Sequence, residues 1–235
     1  MRIEGGASWT LGIDADAFFR DYQSVFGGKA SGFEVPIGFW GSINSYQFDE
    51  ASIGVSGGYY RAVMRENYNY APITSDTSFG PSQNISQNMT LTCIPVMIGL
   101  DFFPFKRQFT GYLGAAAGVG FTSFVWTEEI SASQSVGART GGTRYNDQSI
   151  APALSARFGV SLGLDDAISK EIRAAIMFEA AYLYMPLSAP LMAEAAKSFS
   201  TRVPPRLQGD YNVQTGGLQI KLGIAITIAP VKRNE

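Results

Sequence analysis

Apolar residues recur at every second position over most of this chain. Such alternation is typical of β-strands, whose successive side chains point to opposite faces of a sheet. Most of the alternating segments exceed the five or six residues that are usual in a soluble strand, so the strands are unusually long. The predicted strands span residues 7–19, 32–45, 51–65, 89–103, 109–126, 150–164, 171–186 and 212–228.

The connections between these strands alternate between short and long. The short connections lie near residues 46–50, 104–108 and 165–170, and the long ones near 20–31, 66–88, 127–149 and 187–211. All short turns and both termini therefore fall on one side of the predicted sheet, and every long loop falls on the other. Short periplasmic turns with long outer loops are the layout of outer-membrane barrels. A soluble eight-stranded barrel such as a lipocalin could show a weaker form of this pattern.

The two faces of each predicted strand differ in chemistry. In the last strand, Leu218, Leu222 and Ile226 lie on an apolar face, whereas Gln219 and Lys221 lie on the opposite face. The second face of each strand carries only one or two charges and is otherwise rich in Gly, Ser and Thr. The outside of a soluble barrel is wet and holds many charges. The pattern therefore favours a lipid-facing wall around a narrow polar lumen.

The segment GYLGAAAGVGF contains many small residues, although glycine weakens a strand. Gly114, Ala116, Gly118 and Gly120 fall on the face opposite Leu113 and its apolar neighbours. A small barrel has an interior that side chains just fill. We interpret the small residues as leaving space in the lumen for long charged side chains from other strands.

Several charged residues lie on the predicted lumen face near the middle of their strands, namely Asp14, Asp16, Arg157, Glu179 and Lys221. Buried charges are tolerated when they are paired and hydrogen-bonded. Our hypothesis is that these residues form an ionic network that plugs the barrel. The alternative is that some lie at different heights and are hydrated. Asp14 and Asp16 could also do acid–base chemistry, but a structural or pore-lining role is the simpler interpretation.

The third strand leaves the position of Arg61 open. Strict alternation from Ile53 and Val55 places Arg61 on the lipid face. A bulge at residues 57–58 would turn it inward. Alternatively, Arg61 lies at the level of the lipid headgroups.

Composition excludes several kinds of function. The chain has 235 residues, a net charge of −2, no histidine and a single cysteine, Cys93. No basic field for nucleic acid, no histidine-based catalytic triad and no intrachain disulfide is expected. No apolar run reaches the length of a transmembrane helix, and the N-terminus has no signal-peptide pattern. We expect the sequence to be a mature chain, with an added Met1 as one possibility; the alternative is a protein that is not exported.

Three motifs carry a resemblance to a known family: IPVMIGLDFFP, FTGYLGAAAGVGF and GGLQIKLGIAITI. The chain resembles the small OmpA/OmpX-type outer-membrane β-barrel superfamily. The resemblance implies an all-β fold, an eight-stranded antiparallel up-and-down transmembrane barrel, inserted by the barrel-assembly machinery into the outer membrane of a diderm bacterium. The last strand in this family usually ends at the C-terminus with an aromatic residue, whereas APVKRNE follows Ile228 here. We expect one barrel domain over residues 1–228 and a periplasmic tail over residues 229–235.

The function predicted from these features is non-enzymatic and needs no cofactor or metal. Enzymes among small outer-membrane barrels are similar to one another in relying on a histidine, which this chain lacks. We expect a structural or surface-interaction role through the outer loops, in contact with outer-membrane lipid. Leu191, Met192 and Phe199 in the last loop could contact the barrel rim or a protein partner, as could the C-terminal tail.

Two alternative functions stay open at this point. One is a narrow channel or lateral route for small, hydrophobic solutes, which an apolar gap near Phe18, Trp40 and Phe124 would favour. The other is a soluble barrel that binds a ligand, which solubility without detergent would reveal.

Overall fold

The structure is a computed structural model that describes residues 1–26, 29, 32–48, 50–70, 73–75, 78–79, 82–105, 109–130, 141–164, 172–189 and 211–228. Its elements in chain order are β1 (Arg2–Leu11), α1 (Asp16–Phe26), β2 (Ile37–Phe48), β3 (Ala51–Tyr70), β4 (Ile73–Ser75), β5 (Ser78–Phe79), β6 (Gln83–Phe105), β7 (Phe109–Ile130), β8 (Gly142–Leu164), β9 (Ile172–Tyr184), β10 (Pro186–Ala189), β11 (Tyr211–Gln214) and β12 (Gly217–Ile228). No helix in these ranges is both long and apolar enough to cross a membrane.

Eight of the strands form a closed antiparallel barrel in the order β1-β12-β9-β8-β7-β6-β3-β2. The first and last barrel strands close it, because β1 pairs with β12 from Arg2↔Thr227 to Leu11↔Leu218. The terminal ammonium of Met1 donates to the carbonyl of Ile228 at 3.1 Å. Met1 and Ile228 therefore lie at the barrel end that carries the short connections, here called the turn end; the opposite end is the loop end. The predicted eight-stranded antiparallel barrel is confirmed.

The barrel is apolar outside and polar inside. Along β8, Leu154, Phe158 and Leu162 are exposed, whereas Arg157 and Ser161 are buried in the lumen. The other barrel strands alternate in the same sense, which agrees with the predicted faces. A soluble barrel has the reverse arrangement, with its charges in water and its apolar residues inside. This wall is suited to hydrocarbon surroundings.

One side of the barrel is much taller than the other. Strands β3, β6, β7 and β8 have 20–23 residues, whereas the remaining barrel strands have 10–13. A membrane crossing needs about 9–11 residues. The long strands therefore continue past the membrane at the loop end. We call this extension the loop-end wall; it consists of residues 62–70, 83–91, 124–130 and 142–149.

The predicted first strand, residues 7–19, is wrong at its C-terminal end. Strand β1 stops at Leu11, and Gly12 follows with a positive φ of 78°, a conformation that glycine adopts readily. The backbone N–H of Asp16 donates to Asp14 Oδ1 at 3.2 Å, which caps the start of α1. Apolar residues at spacing i, i+1 and i+4 then continue as a helix rather than as a strand.

The end of the last loop also differs from the prediction. The expected strand 212–228 is divided into β11 and β12, and Gly217, the first residue of β12, has a φ of 134°. The N–H of Thr215 donates to the carbonyl of Met185 at 3.0 Å, where the chain turns away from the barrel wall. Strands β10 and β11 pair as a ribbon whose Leu187, Tyr211 and Val213 are buried. Because these side chains pack against other parts of the protein, the ribbon closes over the lumen.

The position of Arg61 is also decided by the structure. The register of β3 with β2 and β6 is continuous through residues 57–58, so the bulge considered above does not occur. Arg61 is exposed on the outer face, and its Nη2 lies 3.4 Å from Thr90 Oγ1. Strict alternation therefore holds along β3.

Candidate functional site: the closed lumen

The first layer inside the lumen is a set of buried ion pairs. Arg157 on β8 donates through Nε and Nη2 to the two carboxylate oxygens of Asp101 on β6, at 2.8 and 2.9 Å. Gly114 on β7 lies in register between these two residues. With no side chain on the middle strand, the arginine reaches across it and forms a bidentate pair.

A second ion pair joins β9 to β12. Lys221 Nζ donates to Glu179 Oε1 at 2.7 Å, and the two residues are direct cross-strand partners. The hydroxyl of Tyr112 donates to the other carboxylate oxygen of Glu179 at 2.6 Å. Lys221 Nζ also lies 5.3 Å from the centre of the Trp40 ring, a cation–π contact. Both carboxylate oxygens of Glu179 are thus satisfied inside the barrel.

A third pair lies toward the turn end. Arg2 Nε approaches Glu4 Oε1 to 2.6 Å, and the hydroxyl of Ser42 donates to the other oxygen of Glu4 at 2.7 Å. The guanidinium of Arg2 also lies 5.5 Å from the centre of the Phe103 ring. We call the three pairs the ionic layer; its positive residues are Arg2, Arg157 and Lys221, and its negative residues are Glu4, Asp101 and Glu179. Its formal charges cancel.

The ionic layer matches the sequence hypothesis only in part. Arg157, Glu179 and Lys221 lie in it, but the structure does not place Asp14 and Asp16 there. Both are exposed, because they belong to the cap of α1 and not to a lumen-facing strand. Sequence reasoning missed Arg2 and Glu4 because the predicted first strand began at residue 7.

Asp101 was the partner that Arg157 required. The alternation of the fourth strand places Asp101 on the face opposite Ile98 and Leu100, but the sequence hypothesis did not include it in the network. If the alternation had been followed through residues 2–10 and through Asp101, it would have placed all six charged residues on the lumen face.

The second layer, nearer the loop end, is aromatic. Phe18, Phe19 and Tyr22 of α1 are at most 2% exposed, so the helix is inserted into the barrel mouth. The Phe18 ring lies 6.3 Å from Phe124 and 6.0 Å from Trp126, both on the inner face of the loop-end wall. The Phe18 ring also lies 5.7 Å from Tyr211 of β11. We call this set the aromatic layer; its residues are Phe18, Phe19, Tyr22, Phe124, Trp126 and Tyr211.

Hydrogen bonds also hold α1 in place. The hydroxyl of Tyr22 donates to Gln87 Oε1, and the Gln87 amide donates in turn to Glu128 Oε1. Burial, followed by the neighbouring Glu66 carboxylate, raises the pKa of Tyr22 above its ordinary value. Its hydroxyl therefore stays protonated at neutral pH and remains a donor. On the other side of the helix, the Tyr211 hydroxyl donates to Asp21 Oδ2 at 2.7 Å.

A small space lies between the two layers. A cavity of about 20 Å³ is lined by residues that include Ser8, Trp40, Arg157, Gln219 and Lys221. A cavity of this size holds about one water molecule. Phe18 and Phe124 are in contact with each other, and Trp40 packs near Lys221. These packed side chains do not favour a channel at the three positions that the sequence suggested.

The remaining predicted sites lie in parts of the chain that the structure does not describe. Leu191, Met192 and Phe199 and the tail 229–235 all lie outside the described residues. Within the described ranges, no group of three or more histidine, cysteine, aspartate or glutamate side chains could hold a metal ion. The described site is therefore the lumen itself.

The closed barrel, its outward apolar band and its polar interior define an eight-stranded transmembrane β-barrel of the outer-membrane type. Neither a protein-family model nor a curated protein sequence matches the chain.

Three solved structures that are similar to this chain cover nearly all of it. Neisserial surface protein A has 10% identity and a TM-score of 0.43, with 97% of this chain and 96% of that chain covered. The outer membrane protein OprG from Pseudomonas aeruginosa has 11% identity and a TM-score of 0.42, with 97% and 95% covered. Ail, the attachment invasion locus protein of Yersinia pestis, has 12% identity and a TM-score of 0.37, with 96% and 95% covered.

Proposed function

We propose that this protein is a non-enzymatic barrel of a bacterial outer membrane that acts at the cell surface through its loop end and does not conduct solutes. The observation that carries this proposal is the closure of the lumen by two stacked layers. The ionic layer fills the interior with paired charges, and the aromatic layer inserts a helix into the mouth. A conducting pore requires a continuous polar path, which both layers interrupt.

The shape of the loop end supports a role in surface contact. The loop-end wall raises four strands beyond the membrane, and its outer face carries polar side chains such as Asn67, Asn69 and Asn146. The wall, α1 and the β10–β11 ribbon pack together through one core cluster. A rigid polar platform of this kind presents a defined surface to another molecule. Leu191, Met192 and Phe199 remain candidates for contact with a partner, as does the C-terminal tail.

Conductance in a planar lipid bilayer tests the closed lumen. The folded protein, identified by its heat-modifiable migration on a gel, is expected to give no stepwise ion current. The comparison is the double variant Phe18→Ala, Arg157→Ser. It removes one side chain from each layer and is expected to give an ion current. Steady single-channel steps from the unmodified protein would overturn the proposal and favour the narrow-channel alternative.

Cysteine labelling in intact cells tests the orientation. Arg20 on α1 and Arg173 at the start of β9 are both exposed and lie at opposite ends of the barrel. In a Cys93→Ser background, a membrane-impermeant maleimide should label Arg20→Cys and leave Arg173→Cys unlabelled until the cells are lysed. The reverse pattern would place the loop end in the periplasm, and the surface role would fail.

A further inference from the structure

On the outer face of the four long strands, β3, β6, β7 and β8, a row of apolar residues is followed directly by a row of polar residues. Four apolar residues form one row across neighbouring strands, and each is 41–69% exposed: Tyr59, Ile94, Phe121 and Ile150. The next outward row, in the same register, is polar and consists of Arg61, Thr92, Ser123 and Gln148. The apolar band therefore ends between these rows, and Arg61 stands at its border.

Two arginines project from the same strand at and beyond this border. Arg61 and Arg65 are both exposed on the outer face of β3, four residues and therefore about 13 Å apart along the strand. Among the described residues, no carboxylate forms an ion pair with either guanidinium, and Arg61 donates a hydrogen bond to Thr90. The three cations of the lumen, in contrast, are all paired.

The surroundings of Arg61 combine a cation with an apolar surface. Its cross-strand neighbour on β2 is Ile37, and Phe39 pairs with Tyr59 one step toward the turn end. Ile37 and Phe39 are 61% and 69% exposed, so they form a lipid-facing patch directly beside the arginine. A ligand that fits this arrangement has an anionic head and apolar chains. Guanidinium groups bind phosphate through two parallel hydrogen bonds and keep their charge at all physiological pH values.

We propose that Arg61 and Arg65 form a binding site for the phosphate group of an anionic lipid in the leaflet at the loop end. The lipid chains lie against Ile37, Phe39 and Tyr59, and the phosphate contacts the guanidinium of Arg61. Arg65 contacts the outer part of the headgroup. The inference rests on the proposed function only in that the loop-end wall must project from a membrane. Glu34 is also exposed and lies beside β3, because its backbone N–H donates to the carbonyl of Val63 at 2.8 Å; among the described residues, its carboxylate forms no ion pair with either arginine.

Native mass spectrometry of the folded protein in nonionic detergent tests this site. The micelles contain either phosphatidic acid, which has an exposed phosphate, or phosphatidylcholine. The unmodified protein should retain phosphatidic acid preferentially, and the loss in Arg61→Gln and Arg65→Gln should be about tenfold for each lost charge-assisted contact. Arg20→Gln removes an exposed arginine from α1 instead and should retain lipid like the unmodified protein. Arg61→Lys should retain an intermediate amount, because it keeps the charge without the bidentate geometry.

Three results would overturn the inference. The first is that the unmodified protein retains both lipids equally. The second is that the double variant Arg61→Gln, Arg65→Gln retains as much phosphatidic acid as the unmodified protein. The third is that an equal concentration of inorganic phosphate fully displaces phosphatidic acid. The last result would identify free phosphate as the ligand. Heat-modifiable migration of every sample separates these failures from a failure of the proposed function. If the unmodified protein does not need detergent and shows no such migration, the membrane barrel itself is wrong.

Discussion

Glycine residues on the lumen face leave space for the side chains of neighbouring strands. A methyl group on Gly114 would overlap Asp101 Oδ1 and lie 2.9 Å from Arg157 Nε. On the next strand, any side chain at Gly159 would overlap the Tyr112 ring, whose hydroxyl holds Glu179. Gly114 and Gly159 therefore leave the space that the Asp101–Arg157 pair and the Tyr112 ring occupy. At Gly114 this confirms the reason that the sequence suggested for the small residues, whereas a side chain at Gly118 would meet the backbone of β6 and one at Gly120 would meet Met185.

Substitution at Gly114 should therefore destabilise the barrel. Gly114→Val is expected to lower the free energy of unfolding by about 1–3 kcal/mol, because overpacking displaces the Asp101–Arg157 pair. The matched variant is Ala117→Val on the same strand, which points to the outer face and should change little. Urea unfolding in lipid vesicles measures both. Equal effects of the two substitutions would contradict the packing argument.

The Glu179–Lys221 pair gives a second prediction at this scale. Glu179→Gln should destabilise the protein by about 3–5 kcal/mol, because it leaves the buried ammonium of Lys221 without its partner. Adding Lys221→Met should recover much of the loss, since neither buried charge then remains. Asp16→Asn, at the exposed site that the sequence had assigned to the network, should be neutral. Urea unfolding midpoints decide the question, and a destabilising Asp16→Asn would count against the corrected assignment.

At the scale of elements, α1 is the main difference between expectation and structure. Residues 16–26 are helical, although the alternation predicts a strand as far as residue 19. The chain departs from the barrel wall at Gly12, and the helix packs against an aromatic surface on the loop-end wall. Helices of this length are marginal alone and depend on packing of an apolar face. The ribbon of β10 and β11 supplies the rest of that surface.

The packing of α1 can be tested by hydrogen exchange. Phe18→Ala should increase amide exchange across residues 16–26, because the ring contacts Phe19, Phe124, Trp126 and Tyr211. The barrel strands should keep their protection, since their backbone bonds are independent of the helix. Arg20→Ala, on the exposed side of α1, is the control and should leave exchange unchanged. Unaltered exchange in Phe18→Ala would show that the aromatic layer does not hold the helix.

At the scale of the whole molecule, the apolar band predicts behaviour in detergent. The extracted protein should require detergent for solubility, since apolar residues such as Ile98, Phe158 and Ile224 are exposed on the outer face of the barrel. It should migrate faster on a gel before boiling than after, because the closed barrel is compact. A monodisperse protein without detergent would contradict the lipid-facing assignment and would favour the soluble ligand-binding alternative.

The sequence by itself determined the strand number, the antiparallel barrel and the two faces of the wall. It could do so because alternation with period two is a local property, and long strands repeat it many times, as in residues 150–164 and 217–228. It also placed Arg157, Glu179 and Lys221 inside, since each lies in such a segment.

Only the tertiary structure decided which charges meet and what fills the mouth. The pairing of Arg157 with Asp101 depends on strand register and on the glycine between them, neither of which alternation specifies. The helical state of residues 16–26 depends on a surface built from β6, β7 and β11, far away in the chain. Local pattern sets the faces of a strand, but non-local packing selects the partners, because contact energies outweigh weak local propensities.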